Sequence, residues 1–484
     1  MLPTRRRFAP CNHRGILCAA LFLLFAATAA TPALARLQRK GAEVALDPGP
    51  AASCGGGKPD IAALAGGGFV VSWVASDGAW VRRLDPTGAP TEDGVLFAPG
   101  AGEAAVAPLP FSGGYAVLWL ETTSRRLFVQ RVSEQGPLAP IQVAQLGPTD
   151  YLEGLDLAGY GTDNLAAVWA VGGKLLWRLF PTIGGIPATR LLFDADDDPS
   201  GRVPIDPVIQ ISADGRASLV AWTLLQPNTF DDPRRTGAIE LLRLTLAGLG
   251  PQTLPPAVAI TPAGRHPAVA PAADGGFLVA WSGVVNPQAA GPLQHDGVLA
   301  QGFDAADHPR VGDTEPDGPV NDAIGPLQLD SGEWLWQDVG GTVATALGDH
   351  FVVGWVGTPM ALDPQPHLGA PIVQLRDVDL LGVPRGPGVD ALREERDYFG
   401  QATPALAANG LGRVEVAWGT ADNPLIGAPS ECLRRVRAQA FASPCEDGGE
   451  TVCVQGGRFQ LSLAFTDPRG GTGAAGIGPP RRFD

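Results

Sequence analysis

GGFVVSW (67–73), GGYAVLW (113–119), GGFLVAW (275–281) and HFVVGW (350–355) repeat one pattern along the chain: a turn, then a short apolar strand that ends in tryptophan. Weaker copies end at Trp169, Trp222 and Trp418. In the first copy Phe69, Val71 and Trp73 share one face and Val70 and Ser72 the other, because side chains alternate along a strand. Both faces are largely apolar, as a strand enclosed by neighbouring sheets requires. A second strand follows each tryptophan, as in Val81-Arg82-Arg83-Leu84, Phe128-Val129-Gln130-Arg131-Val132 and Val298-Leu299-Ala300-Gln301-Gly302-Phe303.

Two further strands complete the unit. A short one precedes the tryptophan strand, as in Pro59-Asp60-Ile61-Ala62, Pro267-Ala268-Val269-Ala270 and Pro404-Ala405-Leu406-Ala407. A last one, such as Val95-Leu96-Phe97 or Ile141-Gln142-Val143, follows a turn like Asp85-Pro86-Thr87-Gly88, where proline presets φ and glycine supplies the positive φ. The tryptophans lie 46 to 74 residues apart with no helical pattern between them. Four strands at that spacing are the signature of a propeller blade. The chain is therefore expected to be all-β, a seven-bladed β-propeller with its tryptophans wedged between blades. The 110 Gly and Pro residues fit this turn-rich architecture.

The seventh unit has three strands (404–407, 414–418, 436–441) and then runs into Ser443-Pro444-Cys445 without a fourth. A ring leaves no sheet edge only if its last blade is completed. Glu43-Val44-Ala45-Leu46-Asp47 supplies a candidate, so residues 43–47 are expected to pair antiparallel with 436–441. The propeller then spans 36–444, and 445–484 forms an incomplete C-terminal β segment. In it Phe459, Leu461, Leu463 and Phe465 alternate with polar or small residues as one strand with one apolar face.

Residues 1–35 read as an export signal. Arg5, Arg6, Arg7 and Arg14 precede an apolar run that closes on Ala33-Leu34-Ala35, a small-x-small cleavage pattern. The arginine-rich start fits a general secretory or a twin-arginine signal. The mature chain then carries 31 basic and 50 acidic residues, net −19. That balance speaks against nucleic acid or an anionic membrane as partner, and no membrane span is expected after the signal. The expected location is secreted, extracellular or periplasmic. Such a compartment permits disulfides among Cys54, Cys432, Cys445 and Cys453. Three pairings are open. The strand argument favours Cys54–Cys432 as a clamp on ring closure, with Cys445–Cys453 closing a small loop; a zinc site is the rival.

The fifth unit, from Pro267-Ala268-Val269-Ala270 through Asp274-Gly275-Gly276-Phe277-Leu278-Val279-Ala280-Trp281 to Gln301-Gly302-Phe303-Asp304, resembles the repeats of exported bacterial β-propeller proteins. Those repeats run P-x-V-A, D-G-G-F-V-V-x-W and Q-R-F-D. Here Gly302 stands where the repeat has arginine. The resemblance covers roughly residues 59–442; it implies the architecture and is silent on activity. Cys453-Val454-Gln455-Gly456-Gly457-Arg458-Phe459, with Gly470 to Ala474, resembles the opening of a C-terminal β domain of secreted bacterial proteins, which implies a partial copy.

Candidate chemistry is sparse. Asp194, Asp196 and Asp198 alternate as in calcium loops, where carboxylates converge on one hard cation, but Pro199 sits where such loops need a turning glycine. A solvated acidic turn is the plainer reading, and no other cofactor is expected. The five mature histidines are scattered over different units, and no nucleophile elbow, HExxH or phosphate loop occurs. Long connections at about 223–238, 282–297 and 356–371 carry Phe230, His295 and His367 as candidate ligand-binding residues on one face. The stretch 305–338, with Trp334 and Trp336, is read as an outer strand or as part of that face.

Two functions follow. The first is an exported, non-enzymatic scaffold that binds extracellular protein or glycan through that face. The second is a hydrolase or lyase acting on extracellular polysaccharide at the central mouth. Carboxylates clustered with an arginine around the axis favour the enzyme; a neutral mouth favours the scaffold.

Overall fold

The computed structural model describes residues 37–46, 58–226, 237–246, 254–285, 295–310, 334–361, 367–368, 372–385, 388–391, 404–421, 434–442, 454–455 and 458–459. Among these every regular element is a strand, and no helix is long and apolar enough to cross a membrane. The chain forms a β-propeller. The first unit shows the plan: Asp60–Ala63, Phe69–Ala75, Gly78–Leu84 and Val95–Pro99 pair in sequence order, all antiparallel. The second and third units repeat it over 101–145 and 152–194.

Six sheets of this kind form, so the expected seven blades are corrected to six. The reason lies in one strand of 14 residues, Val258–Pro271. Its first half pairs with Gly237–Thr245, through Leu241↔Val258, Ile239↔Thr261 and Gly237↔Gly264. Its second half pairs with Phe277–Val285, from Arg265↔Ser282 to Pro271↔Phe277. The outer strand of the fourth unit thus runs on without a break as the inner strand of the fifth, and the two units share a six-stranded sheet. Sequence spacing counts tryptophan hairpins; it does not register whether the link between two hairpins stays extended.

The ring closes. Inner strands adjoin one another in order, and that of the last unit (Pro404–Ala408) adjoins that of the first. The last sheet is completed by Gln38–Ala45, which pairs antiparallel with Arg434–Ala442. The N-terminal strand begins five residues before the expected Glu43. A bulge between Lys40 and Val44 keeps both halves in register, with Gln38↔Ala442 on one side and Ala45↔Arg437 on the other. Leu46 N–H donates to Val436 O at 2.8 Å, and Arg82 of the first unit donates to Leu46 O at 2.9 Å.

Each tryptophan packs into the seam with the preceding unit. Trp169 lies among Leu118, Leu127 and Val129 of the second unit, and Trp222 among Val168, Leu175 and Trp177 of the third. Trp73 closes the ring against Ala417, Val436 and Ala438. Five of the seven are at most 1% exposed.

Two other sequence readings change. The tryptophan hairpins extend further than expected, with Val285 paired to His295 and Leu224 to Ala238, so the ends of these connections are strand. Trp334–Leu347 is the inner strand of its sheet rather than an outer one, and pairs with His350–Ala361. In the C-terminal segment only the short pair Val454–Gln455 with Arg458–Phe459 is described.

Gly302 is explained by close approach. The turn of the next unit lies on it: Gly302 N–H donates to Leu381 O at 3.2 Å, and a Cβ at this position would stand 1.9 Å from Leu380 O. The arginine of the repeat does not fit here. Gly302→Ala is expected to destabilise the protein by about 1–3 kcal/mol, as overpacking does, measured by denaturant unfolding.

The closing seam also buries a carboxyl. Glu415 is fully enclosed, and neither of its oxygens has a hydrogen-bond partner among the described residues. Gly88 of the first unit packs on it, leaving only 2.5 Å between Oε2 and the place of a Cβ. Burial first, and the charge of Asp85 second, push Glu415 up to about 8, with Arg413 opposing. The folded state therefore holds a proton that the unfolded chain has released, so Glu415 costs stability as pH rises from about 4.5 to about 8. Glu415→Gln is expected to raise the melting temperature over wild type by a margin that grows across that interval and is smallest near pH 4.

Candidate active site at the channel mouth

Inner strands start at the end of each sheet where the tryptophan strands finish, as Arg265↔Ser282 and Leu152↔Val171 show. Their first residues therefore meet at one mouth of the central channel. Near this end three residues precede proline: Lys58-Pro59 just ahead of Asp60–Ala63, Asp206-Pro207 within Val203–Ile211, and His266-Pro267 within Val258–Pro271. Proline has no N–H to give to the ladder, so pairing is interrupted there. The register skips between Ile205 and Val208, and again between Arg265 and Ala268. Asp206 (φ 49°) and His266 (φ 48°) take left-handed backbone conformations inside these bulges. Such a conformation costs a non-glycine residue about 1–2 kcal/mol, and strain of this kind gathers at functional sites.

The bulges bring Asp206 and His266 together, with Nε2 of His266 3.7 Å from Oδ2 of Asp206. Burial lowers His266 below its ordinary value, more than the Asp206 charge raises it. The ring is then neutral at neutral pH, and the approach is not a standing ion pair. Nδ1 lies 3.4 Å from Ser282 Oγ. Ser, His and Asp in a row suggest a nucleophile triad, but Ser282 is wholly buried and its hydroxyl donates to Arg265 O at 3.1 Å. It cannot meet a substrate.

Glu103, on the inner strand of the second unit, is the third member. Burial pushes it up to about 7; the charges of Asp206 and Glu153 add to this and Lys58 opposes. Lys58 is exposed and also acts on His266, whose other cationic neighbour is Arg265. Carboxyls, a neutral imidazole and two cations thus share one mouth.

Further along the same strands, Asp60 and Asp156 stitch neighbouring units together. Asp60 accepts from Ile61 N–H at 2.8 Å and from Val106 N–H of the next unit at 2.6 Å. Asp156 does the same with Leu157 and Ile209, both at 2.7 Å. Burial raises both above the usual carboxylate range, and Asp156 is raised further by Asp60.

The acidic turn singled out in the sequence follows the outer strand Arg190–Asp194 of the third unit. Asp194 accepts from Lys174 Nζ at 2.5 Å, and Asp198 from Arg202 Nε at 2.7 Å, while Asp196 faces solvent. Each of the two paired carboxylates is thus drawn to its own cation. The described residues contain no group of three or more His, Cys, Asp or Glu fit to hold a metal. Phe230 and all four mature cysteines lie outside the described residues. His295 and His367 are placed as strand residues, paired with Val285 and Ala361.

No family model and no curated protein matches this chain. Among solved structures, it is similar to a protein of unknown function from Dyadobacter fermentans (10% identity, 84% of this chain and 99% of that one, TM-score 0.44). It is also similar to the polysaccharide lyase Uly1 (10% identity, 84% and 92%, TM-score 0.43) and to the Dos1 propeller (10% identity, 84% and 95%, TM-score 0.39).

The Glu103 carboxyl is expected to keep its proton up to about pH 7. Infrared difference titration should show a protonated-carboxyl band that fades through that pH and is absent from Glu103→Gln.

Proposed function

We propose that this protein is an exported enzyme that cleaves glycosidic bonds of an extracellular polysaccharide, by hydrolysis or elimination, at the mouth of its central channel. The observation that carries the reading is the sharing of one mouth by a carboxyl that keeps its proton near neutrality, Glu103, and a base pair, His266 with Asp206. Cleavage of a sugar–oxygen bond needs both: an acid to protonate the leaving oxygen as the C–O bond breaks, and a base to take a proton from the attacking water or from the sugar itself. In hydrolysis the base takes it from water, which adds to the anomeric carbon. In elimination it takes it from the carbon next to a uronate carboxylate, and the electron pair forms the new C=C bond. Lys58 and Arg265 supply positive charge beside the base. The charged mouth favours this reading over a binding scaffold. The arginine-rich leader and acidic mature chain support an extracytoplasmic site of action.

Glu103→Gln and Asp206→Asn are each expected to lower kcat by about 10²–10⁴-fold, the usual worth of a general acid or base, with the fold intact by circular dichroism. Activity should decline as pH rises through about 7, where Glu103 loses its proton, and again on the acid side as His266 gains one. Screening neutral and uronate-containing polysaccharides for new reducing ends, and for ultraviolet absorbance of an unsaturated sugar end, separates hydrolysis from elimination. Turnover of none of them, or full activity in both variants, sinks the proposal.

A further inference from the structure

Resting on the acid–base reading above, we infer that Ser282 is a positioning residue that decides which ring nitrogen of His266 serves as the base. A hydroxyl has one hydrogen to give and lone pairs to accept with. Ser282 Oγ spends its hydrogen on Arg265 O, 3.1 Å away. Toward His266 it is left only as an acceptor, and Nδ1 is the nitrogen that faces it, at 3.4 Å. Nδ1 must then carry the hydrogen of the neutral ring. Nε2 is left with its lone pair, and it is Nε2 that points to Asp206 Oδ2 at 3.7 Å.

Two acceptors thus face each other across the mouth, with no hydrogen of their own to share. The arrangement is incomplete until a proton arrives from a third group. A proton taken by Nε2 from substrate or water yields an imidazolium held on both sides, by the Ser282 hydroxyl at Nδ1 and by the Asp206 carboxylate at Nε2. The opposite tautomer would put a hydrogen on Nε2, satisfy Asp206 directly and turn the free lone pair, on Nδ1, toward buried Ser282. Ser282 acts at one remove: it is wholly buried and touches no substrate.

Its neighbours in the repeat make the test clean. The residue after the tryptophan is Ala170 in the third unit and Thr223 in the fourth, both fully buried. Alanine and threonine are therefore both compatible with this position in the fold. Nitrogen-15 NMR of the whole protein with labelled histidine, at mildly alkaline pH, reads the tautomer of His266 directly. Wild type is expected to show the form with hydrogen on Nδ1. Ser282→Ala should move the tautomer ratio by about fivefold toward hydrogen on Nε2, the population equivalent of one ordinary hydrogen bond. Ser282→Thr, which keeps the hydroxyl, should hold the wild-type ratio. The thermal melt checks that each variant folds. Hydrogen on Nε2 in wild type, or an unchanged ratio in Ser282→Ala, overturns the inference. Absence of polysaccharide cleavage in every protein would remove the enzymatic reading and leave the tautomer result to stand or fall by itself.

Discussion

Each sheet of this protein is stable because it buries one large face against the sheet before it, and tryptophan is what fills that seam. A single four-stranded sheet with two apolar faces has nowhere to hide either of them. Stacking the sheets around an axis covers both, but only if the first and last also meet. Trp73 supplies the apolar wedge for that last seam, and Gln38–Ala45 supplies the fourth strand that completes the final sheet. Fold and closure are one requirement met twice, by burial and by pairing.

The seam brings its own costs. Glu415 sits inside the closing seam with no partner for either oxygen among the described residues, which an unpaired ionised carboxylate could not sustain. It stays protonated instead. Gly302 shows the same economy in packing: the turn of the following unit crosses the strand so closely that only a hydrogen fits. In both places the repeat pattern yields to what the adjacent unit brings.

The mouth follows from the same geometry. Inner strands must start side by side around the axis, so a residue near the start of each one is delivered to a common opening. Proline at the next position breaks the ladder and turns that residue out of the sheet. Lys58, Asp206 and His266 arrive there from the first, fourth and fifth units, and Glu103 joins them from the second. Asp60 ties the first inner strand to the second, and Asp156 ties the third to the fourth. Burial at the mouth then separates the roles: it keeps a proton on Glu103 and keeps one off His266.

Alternation, the recurring tryptophan and the turn residues are local properties, and they determined the strands, the repeat and the need for an N-terminal closing strand. Period-2 patterning reports which faces are buried, and that information is complete within a few residues. The sequence by itself did not reveal that units four and five share a sheet. Continuity of Val258–Pro271 depends on two partners far apart in the chain. Nor did it assemble the mouth. His266 read as one of five scattered histidines, and nothing in the sequence set Asp206, Glu103 or Lys58 apart. The one local signal, a titratable residue followed by proline near the start of an inner strand, gains meaning only once those strand ends are known to converge. Distances such as His266 to Asp206, and the desolvation that sets their protonation, are created by ring closure. Only the tertiary structure could decide them.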